Sequence, residues 1–219
     1  MARLKGAPDT QVKVTISRKG KKLQKTLVRN TIPISTVPAY YMIEKQTGYI
    51  QIAQFSLPTA QEFHNAALQL QAKGMKKLLL DLRGNGGGTM DAAIQIADEF
   101  LPNGYLILSS KGQHSQEKKH FASAIGILEK TKVVVLIDAQ SASASEIVSG
   151  ALQDLDRAVI VGERTFGKGL VQQTRDLYYN SKLKVTVAKY YIPSGRCIQK
   201  LDYAKHDSTG VVHFHLDTV

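Results

Sequence analysis

The sequence predicts an α/β fold, and three observations carry the prediction. From Gly48 onward, short apolar runs such as Lys77 to Leu82 and Val133 to Ile137 alternate with segments of helical period. Glycine- or serine-rich stretches, Asp81 to Thr89 and Ser141 to Glu146, stand between a strand pattern and a helix pattern, where an α/β scaffold presents its chemistry. The chain has 219 residues, 43% of them hydrophobic, which suffices for one large domain with a buried core, alone or with a fragment of another.

The chain opens on strands. From Thr10 to Ser17, Val12, Val14 and Ile16 share one face while Lys13 and Thr15 take the other, the period of a half-buried strand. Lys19-Gly20-Lys21-Lys22 predicts a turn and Lys25 to Ile34 a second strand, and Pro33 and Pro38 bracket a linker. Two strands bury no core of their own, so residues 1–35 read as an edge or a remnant and residues 36–219 as the main domain. There, Tyr49 to Phe55 reads as extended, and Phe63, Ala66, Ala67 and Leu70 place a helix over Thr59 to Gly74, where the glycine ends it.

Lys77 to Leu82 follows as a buried strand, and Ala93, Ile96, Ala97 and Phe100 mark a helix from Met90 that Pro102-Asn103-Gly104 stops. Then come a strand Tyr105 to Ser110, a polar loop, a strand Val133 to Ile137, a helix Glu146 to Leu155 and a strand Ala158 to Val161. The remainder is strand-rich: Leu170 to Thr174 alternates, Leu183 to Ile192 forms one long strand or two, and Val211 to Leu216 another.

Composition narrows the function. The 29 Lys+Arg against 18 Asp+Glu give a net charge of +11, but the excess around Lys19 to Lys25 and Lys111 to Lys119 reads as solvated loops without interleaved aromatics, which argues against a nucleic-acid partner. No apolar run approaches the roughly 18 residues of a membrane helix, so no stable membrane insertion is expected. The start, Met1-Ala2-Arg3-Leu4-Lys5, carries no apolar signal region. Cys197 is the only cysteine, so no internal disulfide forms, and it reads as a small half-buried hydrophobe at a strand edge. His213 and His215 fall on one strand face without a third ligand at useful spacing, so they read as surface positions and no metal is expected.

Three loops carry the candidate chemistry. Asp81-Leu82-Arg83-Gly84-Asn85-Gly86-Gly87-Gly88-Thr89 exposes backbone N–H groups before a helix. Thr89 occupies the place of the third glycine of a dinucleotide fingerprint, which leaves an oxyanion hole, or simply a tight turn. Gly162-Glu163-Arg164-Thr165-Phe166-Gly167-Lys168 fits seven positions of a phosphate-binding loop, but Gly169 stands where the magnesium-ligating hydroxyl belongs and a strand pattern follows instead of a helix. In Ser141-Ala142-Ser143-Ala144-Ser145-Glu146, Ser143 and Glu146 form a capping box, and the alternation of serine with alanine exceeds what a cap needs.

A serine needs a partner to take its proton. Lys168, between two glycines with apolar Phe166 and Leu170 beyond, is either a solvated loop charge or a partly desolvated amine able to act as that base. On these residues alone the three serines remain equal candidates.

These loops, with Tyr191-Ile192-Pro193-Ser194-Gly195-Arg196, resemble in sequence order the motifs of the carboxy-terminal processing proteases, or tail-specific proteases, over roughly Gly48 to Gln199. The resemblance implies a twisted core of ββα units of the Clp-protease and crotonase-like type, with extra N- and C-terminal strands. It implies that Ser143 is the nucleophile, Lys168 the general base, Gln172 an orienting residue for the lysine, and the amides of Ala144 and of Gly88, or its neighbour Gly87, the oxyanion donors. No cofactor is implied. Substrates would be proteins with apolar C-terminal tails, bound extended beside a strand for which Tyr49 to Phe55 is one candidate rail.

Residues 1–35 resemble the end of a PDZ domain, too short to hold its carboxylate-binding loop, and the stop at Asp217-Thr218-Val219 suggests a fragment of a longer protein. A periplasmic or cell-envelope location is implied for bacterial relatives, and oligomers are possible. A peptide-binding module that holds tails without cutting them is the alternative from another functional class.

Overall fold

The computed structural model describes residues 4–32, 34–113, 115–123, 126–206 and 212–214. The chain divides into two compact units, Met1–Ile34 and Ser35–Val219. In the first, β1 (Gln11–Arg18) and β2 (Lys21–Val28) form an antiparallel hairpin. The turn is shorter than the sequence reading had it. Lys19 and Gly20 both have positive φ, 50° and 77°, so two residues suffice and Lys21 to Gln24 join the strand. Val12 and Val14 are half-buried and Ile16 is exposed, so the hairpin has little core.

The second unit is built on a five-stranded sheet, order β3-β4-β5-β8-β9. Its strands are β3 (Ala39–Glu44), β4 (Thr47–Gln51), β5 (Lys77–Asp81), β8 (Lys132–Ile137) and β9 (Ala158–Gly162). β4, β5, β8 and β9 run parallel, and β3 folds back antiparallel on β4. Helix α1 (Thr59–Ala72) connects β4 to β5, α2 (Met90–Asp98) leaves β5, and α3 (Ala144–Asp154) joins β8 to β9, as parallel strands require. α1 buries Thr59, Phe63, Ala66, Ala67 and Leu70 at helical spacing. Phe63 and Phe100 meet with ring centroids 5.8 Å apart, within a core that also holds Leu78, Leu80, Ile96, Val135 and Leu152.

A second sheet, order β10-β11-β6-β7, is antiparallel. It contains β6 (Leu106–Gly112), β7 (Ser115–Phe121), β10 (Leu170–Asp176) and β11 (Lys182–Tyr191), and β12 (Leu201–His206) pairs separately with β13 (Val212–Phe214). The region around Lys111 to Lys119, expected as a polar loop, is therefore the β6/β7 hairpin. The rail expected at Tyr49 to Phe55 is also corrected: β4 is paired on both sides, by β3 and β5, and has no free edge to offer. Gln51 ends it, and Phe55 makes only an isolated bridge to Gly88. His215 lies outside the described residues. Cys197 is half-buried and bridges Tyr191, close to its expected setting.

Candidate active site

β5 and β8 are neighbours, with Asp81 opposite Leu136, so the loops leaving their carboxyl ends emerge side by side. Hydrogen bonds join these two loops. Gly84 N–H donates to the Asp138 carboxylate at 2.9 and 3.0 Å, Ser141 Oγ to the Leu82 carbonyl at 2.8 Å, and Ser145 Oγ to the Asn85 carbonyl at 2.9 Å. Ser141 and Ser145 are fully buried and serve as struts. Ser143 alone of the three is partly exposed.

Ser143 sits at the N-cap of α3 with φ 55° and ψ −110°. A side chain in the left-handed region costs of order 1–3 kcal/mol and persists only where its surroundings enforce it. They do so through Glu146, which is fully buried. Its Oε2 accepts from Ser143 N–H at 2.7 Å and from Lys168 N–H at 2.8 Å, and its Oε1 from Gly167 N–H at 2.6 Å. The capping box is thus also a clamp: one carboxylate oxygen holds the backbones of Ser143 and Lys168 within two hydrogen-bond lengths of each other. Burial pushes the Glu146 carboxyl above its ordinary range, against the hydrogen bonds from Lys168, Thr165, Ser143 and Gly167, which favour the ionised form.

The glycine loop approaches the serine turn closely. A Cβ on Gly87 would stand 2.8 Å from Ser143 Cβ and 2.9 Å from Ala144 N, and Gly87 has φ +94°. A Cβ on Gly88, at φ +149°, would collide with the Phe55 carbonyl. Both positions demand glycine. The Gly87 N–H donates to Asn85 Oδ1 at 2.9 Å, while Asn85 Nδ2 donates to the Ile52 carbonyl at 2.7 Å. The N–H groups of Gly88 and Ala144 have no acceptor among the described residues.

Lys168 is half-buried and lines a cavity of about 540 Å³ with Phe166, Leu170, Gln172 and Gln199. Among the described residues its side chain has no ion-pair partner. Gln172 is exposed on β10 and lines the same cavity, but makes no hydrogen bond to the lysine. The Lys168 backbone is held from the other side by Tyr190, whose hydroxyl donates to the Lys168 carbonyl and whose N–H donates to the Gly169 carbonyl at 3.0 Å. Burial pushes this phenol well above its ordinary range, and its oxygen also meets the Ser143 hydroxyl. The segment Gly162 to Gly169 runs on into strand β10, so the helix that a phosphate-binding loop needs is missing here.

At the root of the glycine loop, buried Asp81 accepts from Arg83 Nη2 at 2.7 Å and from the Tyr49 hydroxyl at 2.7 Å. Burial opposes ionisation of Asp81, but the Arg83 and Tyr49 hydrogen bonds outweigh it and hold the carboxyl below the usual carboxylate range. Tyr49, by burial and by its bond to Asp81, is pushed up to about 12. Sequence reasoning missed Asn85, Tyr190 and the clamping use of Glu146. Only the last left a signal, the capping box itself.

The model of Peptidase family S41 matches residues 46–207, a span that contains both candidate loops and Lys168. This chain belongs to that family. It is 40% identical over 203 residues to a carboxy-terminal-processing protease of Bartonella bacilliformis, covering 90% of this chain and 46% of that protein. It is 38% identical over 205 residues to a carboxyl-terminal-processing protease of Synechocystis, covering 91% and 48%. The chain thus spans about half the length of these relatives. Among solved structures it resembles the photosystem II D1 C-terminal processing protease, with TM-score 0.68, 32% identity, and coverage of 89% of this chain and 54% of that one. A putative S41 protease from Bacteroides fragilis, at TM-score 0.67 and 17% identity, shares the fold.

Proposed function

We propose that this S41 chain is the catalytic core of a serine endopeptidase that processes protein C-termini through a Ser143/Lys168 dyad. The observation that carries the proposal is the shared carboxylate. Glu146 ties the two backbones together beside two unused N–H groups, those of Gly88 and Ala144. Ser143 Oγ attacks the scissile carbonyl carbon while its proton passes to Lys168 Nζ. The developing oxyanion is met by the Gly88 and Ala144 amides, which supports Gly88 over Gly87, whose N–H is taken by Asn85. Lys168 then gives the proton to the leaving amine, and water, deprotonated by Lys168, releases the acyl group and restores Ser143. Gln172, across the shared cavity, orients the lysine once substrate fills the space.

Apolar C-terminal tails are the proposed substrates. β10 begins two residues after Lys168 and is an edge strand, so its outer backbone groups are available to an extended chain. Residues 1–35 are read as the end of a PDZ domain, and the location as the periplasm or cell envelope. No helix is long and apolar enough to cross a membrane among the described residues. The test is processing of an apolar-tailed protein by wild type, Ser143→Ala and Lys168→Ala. Both variants should be inactive. Equal processing by all three refutes the dyad. Tail binding without cleavage by wild type would instead favour a non-catalytic tail-binding module.

A further inference from the structure

The tip of the β10/β11 hairpin is apolar and open to solvent. Tyr178 and Tyr179 are 89% and 101% exposed, and Leu177 and Leu183 are exposed beside them. Exposed apolar side chains gathered in one place mark an interaction site, whereas single ones are ordinary. The turn also holds its aromatics out under strain. Ser181 N–H donates to the Tyr178 carbonyl, and the two residues between, Tyr179 and Asn180, have φ 59° and 55°. This is the left-handed pair of a type I′ turn, where Asn-Gly is preferred and a bulky side chain is an outlier. The β1/β2 turn meets the same demand with Gly20. A strained tyrosine that packs against nothing in the fold points to a partner outside it.

Charge indicates which partner. Arg175 lies opposite Leu183 in the register, so by strand alternation Arg175, Leu177 and Leu183 share one face. On the other face Lys182 pairs with Asp176 at 2.7 Å and Lys184 stands opposite Thr174. Arg175 and Lys184 are exposed and make no ion pair among the described residues. Tyrosine and leucine ringed by Arg and Lys suit the headgroup layer of a bilayer, with the apolar side chains at the acyl boundary and the cations on lipid phosphates. The net charge of +11 adds a longer-range attraction to an anionic surface.

We propose that the β10/β11 hairpin tip docks on an anionic membrane surface, with Leu177, Tyr178, Tyr179 and Leu183 as the wedge and Arg175 and Lys184 as the phosphate contacts. The contact is interfacial: no helix among the described residues is long and apolar enough to cross a membrane. It is independent of the peptidase reading. With a rise of about 3.3 Å per residue along β10, the tip stands roughly 20 Å beyond Leu170, clear of the proposed dyad.

The chain has no tryptophan, so Tyr179→Trp plants a single reporter at the tip. Its emission should shift to the blue with phosphatidylcholine vesicles that carry about 30% phosphatidylglycerol, and less with phosphatidylcholine alone. In co-sedimentation with the anionic vesicles, Arg175→Gln and Lys184→Gln together should weaken binding roughly 30-fold at low salt, and less as salt is raised. Tyr179→Asn separates docking from folding: Asn suits the left-handed turn, so Tm should rise while vesicle binding falls severalfold at every salt concentration. A lower Tm for Tyr179→Asn overturns the proposal, because the fold itself would then hold the tyrosine. An emission unmoved by vesicles overturns it, as does vesicle binding that Tyr178→Ser and Tyr179→Asn leave intact, which would place the contact at cations elsewhere on the chain. A blue shift that grows with protein concentration in the absence of lipid assigns the tip to a second copy and likewise overturns it.

Discussion

Replacing Glu146 by Gln removes the charge at the clamp and little else. The carboxylate accepts three backbone N–H groups, two on Oε2 and one on Oε1. Glutamine keeps only one accepting oxygen. Its better orientation retains the Ser143 and Lys168 bonds and turns an NH2 donor toward the Gly167 N–H. One charge-assisted bond, worth about 1.5–3 kcal/mol, is lost and a buried N–H is left unpaired, offset in part by relief of burying a charge. The expected destabilisation is about 2–4 kcal/mol, read from urea unfolding as a lower midpoint at unchanged slope. Under the proposed dyad, cleavage of a tail peptide should fall about 100-fold through kcat, as the Ser143 and Lys168 backbones drift apart.

The pH dependence adds a signed check. Burial raises the folded-state pKa of Glu146, so wild-type stability from this group is full below the ordinary value of 4.5 and declines as pH rises through the folded value. The variant lacks that decline, so its deficit shrinks as pH rises. A variant within 0.5 kcal/mol of wild type (about the spread of an inert surface change) and of unchanged kcat would refute the clamp.

Gly88→Ala forces a Cβ onto the Phe55 carbonyl, so it should lose both stability, by more than about 2 kcal/mol in thermal unfolding, and the proposed oxyanion donor, by about 100-fold in kcat. Asp81, held below its ordinary 3.8, stabilises fully above that value and loses the contribution as pH falls through its folded pKa. Asp81→Asn should therefore cost about 1–3 kcal/mol at neutral pH and flatten the acid limb of a stability-against-pH curve. Phe63→Ala, which empties a fully buried site against Phe100, should cost about 3–5 kcal/mol by denaturant unfolding and leave the unfolding slope unchanged.

The alternation of strand and helix was legible because each central element buries one face at its own period, as Phe63, Ala66, Ala67 and Leu70 do on α1. β3 and β7 were not legible. Each is paired on one side only, and Tyr40, Tyr41 and Ile43 on β3, like Lys118 and Lys119 on β7, are exposed, so no alternation marks them. The same holds for the site. Ser143 and Lys168 stand in short loops of peculiar composition and show themselves locally. Tyr190 and Asn85 act through contacts between residues distant in sequence, which only the sheet register and loop crossings create.

The first hydrogen bond of α3 runs from Ile147 N–H to the Ser143 carbonyl at 3.0 Å. That carbonyl and the Ala144 N–H belong to one rigid peptide plane. Anchoring the oxygen in the helix therefore aims the opposite end of the plane outward, toward the space beside the serine hydroxyl. A flip of this single unit would withdraw the proposed electrophilic aid and uncouple the helix start together, so the two are gained or lost as one event.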